Sequence, residues 1–223
     1  MPSLGFDPTM ERVPGQPTQF NITVHPNQHQ EKPRRFQTKR IISSSGAEPL
    51  RGRGTRVFEA VEIDEDGHEI GVNVVLKDIW IDKDRTREGI ILAQLYDEAQ
   101  GDDKALVRKY FLTTLCHGDV LLEGEVPDDT EESIMRGLKT TDSMFSLGSV
   151  KDLSKTSSST GSQSVHAMDL LNYRVPRKYA HKAHYRIVFE EQGIMIHHVT
   201  LFHDVLKTLM DTVDGLFLYD PAI

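Results

Sequence analysis

The chain has 223 residues, a net charge of −8 and one cysteine, Cys116. The acidic balance argues against nucleic-acid and membrane partners, because both present negative charge, and one cysteine excludes an internal disulfide framework and a cysteine-based zinc site. The sequence has no run of about 18 apolar residues and no signal-peptide pattern, so we expect an intracellular protein, cytoplasmic or nuclear.

The first 45 residues are rich in proline, glutamine, asparagine, serine and threonine, without an apolar period. This composition predicts a largely disordered arm over residues 1–45. A basic segment lies inside it at residues 33–40. It is open to three interpretations: a nuclear-import signal, an anion-binding arm, or a solvated approach to the first strand. We favour the last of these as the simplest.

A β-hairpin is predicted where the chain first turns strongly apolar. Two stretches rich in valine, isoleucine and phenylalanine, residues 56–63 and 70–81, flank turn residues 64–68. Side chains alternate along a strand, so Lys77 lies with Val75 on one face of the second strand. The other face is apolar and comprises Ile70, Val72, Val74 and Leu76. Lys77 is therefore expected to point away from that apolar face.

A helix over residues 86–99 follows, and its inward stripe contains an acid. The stripe comprises Glu88, Ile91, Leu92 and Leu95, which recur at helical spacing. A buried acid needs a cationic partner, and Lys77 is the natural one. The alternative is an acid placed at the helix start by the helix dipole. Glu98 is a second candidate, although it lies off this stripe.

Later segments add a second helix, an insertion, a strand and a last helix. They are predicted over residues 104–115, 123–180, 184–190 and 201–217 respectively. The insertion is acidic and serine-rich. The last helix carries a wide apolar stripe, which is a candidate surface for a protein partner.

Two glycines, Gly52 and Gly54, stand just before the first strand of the hairpin. Glycine lets backbone N–H groups approach phosphate oxygens, and a lysine closing an apolar strand can reach phosphates as a point charge. Taken singly, these residues are also what a flexible turn or a solvent-facing lysine would give. Their order, with Lys77 on the strand and Glu88 on the next helix, favours a phosphate site.

These segments resemble the fungal-type protein kinase domain family over about residues 40–219. The resemblance is carried by Gly52-Arg53-Gly54-Thr55-Arg56-Val57, Val74-Val75-Leu76-Lys77-Asp78-Ile79-Trp80 and Arg87-Glu88-Gly89-Ile90-Ile91-Leu92, and by residues 110–119, 184–191 and 204–216. It implies an α+β fold, with a protein-kinase-like N-lobe (an antiparallel sheet plus a helix) and a partial, mostly missing C-lobe.

The resemblance also implies a domain organisation. It comprises an arm (1–45), N-lobe strands and helices (46–122), the insertion (123–180), the last N-lobe strand and hinge (181–193), and the first C-lobe helix (194–223).

The family implies ATP-dependent phosphoryl transfer to serine and threonine hydroxyls, with Mg²⁺ accompanying the ATP. By this resemblance, Lys77 would pair with the ATP phosphates and with Glu88. The remaining implied contacts are Gly52 and Gly54 over the phosphates, Val57 and Val75 around the adenine, and the backbone of Glu190 to Gln192 at its edge.

Several departures limit the expected activity. Thr55 stands where a third glycine is usual, and Val75 replaces a small alanine. No H-R-D, D-F-G or A-P-E motif follows, and His117-Gly118-Asp119 does not substitute for them. We therefore expect a protein-kinase-family N-lobe fragment, truncated before the catalytic loop and inactive alone. The alternatives are a non-catalytic, pseudokinase-like binding or scaffold module and a fragmentary gene product.

Histidine clusters and the cysteine are weaker candidates for chemistry. The closest histidines are His181 with His184, and His197, His198 and His203. Adjacent histidines in a strand point to opposite faces, and no completing ligands are apparent, so we predict no metal site. Cys116 is interpreted as a buried hydrophobe rather than a nucleophile.

Overall fold

The computed structural model describes residues 7–27, 32–45, 54–122, 126–134, 181–194 and 196–219, all within one unit formed by Met1–Arg136 and His181–Ile223. The strands are β1 (Met10–Arg12), β2 (Phe20–Val24), β3 (Arg34–Ser45), β4 (Thr55–Ile63), β5 (Glu69–Asp82), β6 (Thr114–Asp119), β7 (Leu121–Leu122), β8 (Val126–Pro127) and β9 (Lys182–Phe189). The α-helices are α1 (Glu88–Glu98), α2 (Asp103–Tyr110) and α3 (Phe202–Tyr219).

Seven of these strands form one antiparallel sheet in the order β1-β2-β3-β4-β5-β9-β6. The sheet curls until the end of β2 meets β6. There the Asn27 N–H donates to the His117 carbonyl at 3.0 Å, and the Asn27 side-chain oxygen accepts the Asp119 N–H at 3.2 Å. Gly118 permits this approach, because a Cβ at that position would lie 1.7 Å from the His25 carbonyl oxygen.

Apolar side chains pack on both faces of the sheet. The first cluster comprises Ile22, Val24, Phe36, Phe58, Ala60, Val74, Leu76, Cys116 and Val188. The second comprises Ile79, Leu92, Tyr185, Ile187 and Phe189. Because Leu92 belongs to α1, the second cluster fastens that helix to the face opposite Leu76. Each fully buried aliphatic or aromatic side chain contributes about 1.5–3 kcal/mol. Cys116 is buried, as predicted.

The N-terminal segment differs from the disordered arm predicted over residues 1–45. Residues 10–12, 20–24 and 34–45 are strands of the main sheet. The cause is a period-two apolar pattern that polar neighbours conceal. Ile22 pairs in register with Phe36, and both side chains are buried.

The basic segment, residues 33–40, forms part of β3, and its charges are paired with acids. The pairs are Arg34 with Glu62, Arg35 with Glu11, Lys39 with Glu69 and Arg40 with Glu59. Because these cations already have carboxylate partners on β1, β4 and β5, the structure does not support an anion-binding arm.

The predicted apolar face of β5 is buried along part of its length. Val74 and Leu76 are buried, but Ile70 is 45% exposed and Val72 is 76% exposed. These two residues are exposed because this part of β5 has a strand partner on one side only. Strand β9 pairs with β5 from Val75 onward, so the first half of β5 extends beyond it with β4 as its partner.

The second helix is shorter than the predicted 104–115. It ends at Tyr110, and residues 114–119 form strand β6 instead. Alternation decides this segment, because Cys116 and Gly118 are buried while their neighbours are half-buried. The other predicted elements agree with the observed ones to within a few residues at their ends.

The insertion predicted over residues 123–180 is described at residues 126–134, and its other residues lie outside the described part. Residues 128–130 run beside β9. The His184 N–H donates to the Asp128 carbonyl at 2.8 Å, and the Lys182 N–H donates to Thr130 Oγ1 at 2.8 Å. Lys83 adds ion pairs to Asp129 and Glu131.

Helix α3 contacts α2 through a polar edge. The Tyr110 hydroxyl donates to Asp214 at 3.2 Å, Lys109 pairs with Asp211 at 3.6 Å, and buried Gly215 faces Tyr110. The apolar stripe is exposed and includes Phe202, Leu206, Leu209, Met210, Val213 and Leu216. Among the described residues, no helix is long and apolar enough to cross a membrane.

Candidate functional site

Lys77 and Glu88 meet at the centre of the sheet. The Lys77 ammonium donates to the Glu88 carboxylate with Nζ and Oε2 2.6 Å apart. Strand β5 presents Lys77, and Glu88 is the first residue of α1. The side chains are 26% and 41% exposed. An ion pair this open to water stabilises a fold by at most about 1 kcal/mol, so stability is a weak reason for a lysine to interrupt the apolar strand.

The surroundings of Lys77 follow from strand register. Val57 lies opposite Lys77 on β4, and Phe189 lies opposite Val75 on β9. Since paired residues share a face, these four side chains flank one surface. Val57 and Val75 are half-buried, while Phe189 is buried. Phe189 was not among the predicted site residues, and its signal was its place as the last apolar residue of the predicted strand 184–190.

The segment after β9 turns back toward the sheet. The Glu190 N–H donates to the Thr113 carbonyl at 3.0 Å. The Gln192 amide donates to Glu59 of β4 at 3.2 Å. This segment therefore lies close to the surface that bears Lys77, with Glu190 and Gln192 exposed.

Of the two glycines in the predicted phosphate-binding turn, the structure describes Gly54. Gly52 lies outside the described residues. Gly54 has φ of +50°, which favours glycine, and a Cβ there would lie 3.2 Å from Trp80 Cδ1. The Trp80 ring in turn stacks on His184, with ring centroids 4.7 Å apart. Gly54 is thus fixed by the end of β5.

A buried charge network that the sequence did not reveal lies on the opposite face of β5. Asp78 is contacted by three basic side chains: His184 Nε2 at 2.6 Å, Arg186 Nε at 3.0 Å and Arg56 Nε at 3.0 Å. Burial by itself would raise the pKa of Asp78, but His184, Arg186 and Arg56 hold it far below its usual range. Asp78 is therefore a carboxylate in the folded protein.

His184 lies between two acids. Its Nδ1 is 2.8 Å from Asp128, opposite the contact to Asp78. Burial alone would lower the pKa of His184, but the charge of Asp78 and the hydrogen bonds to both acids raise it above its ordinary value. This histidine thus belongs to the Asp78 network, and both of its ring nitrogens face carboxylates.

The remaining histidine positions differ from the expected strand. His197 and His198 lie in a 3₁₀ helix, Ile196–His198, with their rings 4.3 Å apart. Within the described residues, the acids and histidine that approach one another closely enough for metal ligation are Asp64, Asp66 and His68, in the β4–β5 turn. They are far from Lys77 along the strand.

The fold and the Lys77–Glu88 pair together define a protein-kinase-like protein: a curled antiparallel sheet whose central strand presents a lysine to an acid of the packed helix. A family model described as fungal protein kinase matches residues 2–220. The chain belongs to that family, and the resemblance predicted from its motifs is confirmed. The match also includes most of the N-terminal segment outside the predicted range.

Comparison with curated proteins gives no match, and comparison with solved structures gives none either. The family is therefore the extent of what known proteins contribute to the interpretation of this site.

Proposed function

We propose that the chain binds ATP at the surface around Lys77, as the nucleotide-binding part of a protein kinase. The observation that carries the proposal is the 2.6 Å contact between Lys77 and Glu88 at a half-exposed position. An ammonium held by one carboxylate on an open surface keeps donors for phosphate oxygens.

The neighbouring residues suit a nucleotide. Val57 and Val75 offer apolar surface for the adenine, as the family implies. Because the Glu190 N–H is bonded to Thr113, the Glu190 carbonyl is the backbone group at this residue that we expect to meet the base. Gly52 and Gly54 precede β4 and would cover the phosphates.

The residues suit Mg²⁺ less well. Asp78 is the carboxylate next to Lys77 in sequence, but it is buried on the opposite face among three basic side chains. Glu88 is the acid in contact with Lys77, and Glu59, on the same face of the neighbouring strand β4, is paired with Arg40. We therefore propose that Mg²⁺ arrives with the nucleotide and that the residues described by the structure supply no dedicated ligand for it.

Phosphoryl transfer to a serine or threonine hydroxyl is the activity that the family implies. It requires a residue that orients the hydroxyl and acids that hold metal. The His117-Gly118-Asp119 segment serves packing instead, because Asp119 is paired with Arg87 at 2.7 Å and Gly118 contacts the β2 end. We propose that the chain alone binds nucleotide without turnover.

The second candidate is a non-catalytic scaffold that binds a protein partner through α3. The exposed apolar stripe of that helix favours it. Substituting Leu209→Glu would weaken such a complex without affecting nucleotide binding, so the two functions are separable. An intracellular location stays a prediction under either function.

A thermal-shift titration with ATP and Mg²⁺ tests the first proposal. At a nucleotide concentration of about 100 Kd, binding stabilises the folded state by about 2.7 kcal/mol, which corresponds to a Tm rise of about 5–10 °C. Lys77→Ala should abolish most of this rise. The matched control is Lys39→Ala, because Lys39 is 29% exposed and also pairs with a glutamate.

Nucleotide binding at this site is excluded if wild type shows no shift, or if Lys77→Ala shifts as much as wild type does. A parallel incubation with γ-labelled ATP and a serine/threonine substrate protein should show no transfer above a chain-free blank. Transfer that Lys77→Ala abolishes would contradict the proposed lack of turnover.

A further inference from the structure

Helix α1 starts at the residue that matters most for the proposed site, because Glu88 is its first residue. First-turn N–H groups have no partners within a helix, and helix ends fray. Arg87, at the N-cap, provides no side-chain cap for this turn. Some other contact must therefore fix the position of Glu88 relative to Lys77.

The residue before Glu88 is fastened to β6. The Arg87 guanidinium makes a bidentate contact with the Asp119 carboxylate, with Nε 2.7 Å from Oδ1 and Nη2 3.0 Å from Oδ2. Its Nη1 also donates to the Arg85 carbonyl at 2.8 Å. A two-point Arg–carboxylate contact fixes orientation as well as distance. The Arg87 side chain is largely buried, so water screens the pair weakly.

The residue after Glu88 is fastened to β9. The Gly89 N–H donates to the buried Tyr185 hydroxyl at 3.0 Å, which supplies the cap that Arg87 does not. The absence of a side chain at Gly89 allows this contact. A Cβ there would lie 2.1 Å from the His117 ring. The His117 and Tyr185 rings pack against each other, with centroids 5.9 Å apart.

We propose that Arg87, Asp119 and Tyr185 are positioning residues for Glu88, and that they set the strength with which Lys77 binds nucleotide phosphates. This inference rests on the proposed nucleotide site. The three residues hold the backbone immediately on either side of Glu88, whereas later turns of α1 are held by the apolar contacts of Leu92 and by the Tyr96 hydroxyl. Loss of either the Arg87–Asp119 contact or the Gly89–Tyr185 contact would make the first turn of α1 more mobile, while the rest of the helix stays formed.

The first test measures the affinities of a fluorescent ATP analogue and of adenosine for variants of the full chain. Tyr185→Phe removes the hydroxyl alone, and Asp119→Asn removes the charge that Arg87 pairs with. Each should weaken binding of the ATP analogue by about 3- to 10-fold and leave adenosine binding unchanged, because adenosine has no phosphates. Tyr96→Phe is the matched control, since the Tyr96 hydroxyl donates to the Phe111 carbonyl near the other end of α1.

A double-mutant cycle with Glu88→Gln separates positioning from general stability. Residues that act through Glu88 should cause no further loss once Glu88 cannot pair as an anion. Hydrogen exchange of a peptide over residues 87–92 gives a readout without nucleotide, and Tyr185→Phe should speed it while β4 and β5 keep their protection.

The outcomes distinguish the two proposals. If wild type does not bind the ATP analogue, or Lys77→Ala binds it equally well, the nucleotide site itself is wrong. If wild type binds and Lys77→Ala weakens binding, but Tyr185→Phe and Asp119→Asn match wild type, the positioning role is overturned. Equal loss of ATP and adenosine affinity, losses additive with Glu88→Gln, or unchanged exchange in Tyr185→Phe would also overturn it.

Discussion

Asp78 shows how one strand of this protein supports two different environments. Its neighbour Lys77 is half-exposed beside α1, while Asp78 is buried among His184, Arg186 and Arg56. Arg186 also pairs with Asp7 and donates to the Thr23 carbonyl at 2.8 Å. The network therefore ties the central strand to the N-terminal segment.

Asp78→Asn should destabilise the protein by about 3–5 kcal/mol, because it removes the negative charge that the buried Arg186 and His184 share. Equilibrium urea unfolding measures this loss. Asp84→Asn is the control, since Asp84 is exposed in the turn after β5, and a surface change of this kind costs about 0.5 kcal/mol or less. A loss for Asp78→Asn no larger than for the control contradicts the network's role.

His184 gives the network a pH dependence. Its pKa is raised above the ordinary value of 6.5 in the folded state, so its pairing stabilises the fold fully below about pH 6.5 and loses effect as pH rises through the folded pKa. The free-energy difference between wild type and His184→Gln should therefore shrink with rising pH. His25, whose pKa is lowered by burial and by Arg186, acts in the opposite sense in both proteins and cancels in this difference.

The result that counts against this account is a difference that stays constant or grows between pH 6 and 9. Urea unfolding in a series of buffers at constant ionic strength supplies the measurement. Constant ionic strength matters because salt screens the exposed pairs of this chain more than the buried one.

The contact between Lys77 and Glu88 was expected from the sequence and is observed at 2.6 Å, whereas the Asp78 network was not expected. The first pair depends on local periodicity, since strand alternation and helical spacing can be read within short windows. Asp78, His184 and Arg186 meet only because β5 pairs with β9 in one register. No local sequence pattern predicts this register, because about 100 residues separate the paired positions of β5 and β9.

At the scale of elements, the base of the insertion is fixed on both sides. Asp128, Asp129 and Thr130 contact His184, Ala183 and Lys182 of β9. Lys83 bridges Asp129 and Glu131, at 2.9 and 3.0 Å. The two chain segments that flank residues 135–180 are therefore held beside each other by groups outside that range.

Replacing residues 135–180 by a short Gly-Ser linker should leave the sheet folded. Each halving of a loop's length favours folding by about 0.6 kcal/mol, so the shortened chain should be at least as stable as its parent. Circular dichroism and urea unfolding measure this. The matched comparison is the same replacement with Lys83→Ala and Thr130→Ala, which removes part of the base and should lower stability. An unfolded linker chain would show that the base does not hold by itself.

Elements were predicted unevenly for a physical reason. The hairpin, α1 and α3 appear close to their predicted bounds, because apolar residues recur at strand or helical spacing in these segments. Strands β1, β2 and β3 did not stand out, because their inward residues alternate with polar ones and a few apolar residues per strand suffice in a curled sheet. Helix α3 shows a different limit of sequence patterns. Its apolar period predicts a helix, but it does not predict which surface, if any, covers the apolar stripe.

At the scale of the whole molecule, the two faces of the curled sheet are covered to different extents. The first apolar cluster and the Asp78 network fill one side, and α1 covers part of the other. Lys77 lies at the margin of that covered area, between Val57 and the first turn of α1. The family assignment follows from this arrangement together with the match over residues 2–220.

The most direct test of the central claim is chemical labelling with an acyl phosphate of ATP. A lysine amine near the bound phosphates attacks the acyl carbon, keeps the acyl group as an amide and releases ATP. Mass spectrometry then identifies the labelled lysine, with and without excess unlabelled ATP. We predict strong labelling of Lys77 that ATP suppresses, and weak labelling of Lys39 that ATP does not change. Equal labelling of both lysines, or labelling of Lys77 that excess ATP does not reduce, would contradict a nucleotide site at Lys77.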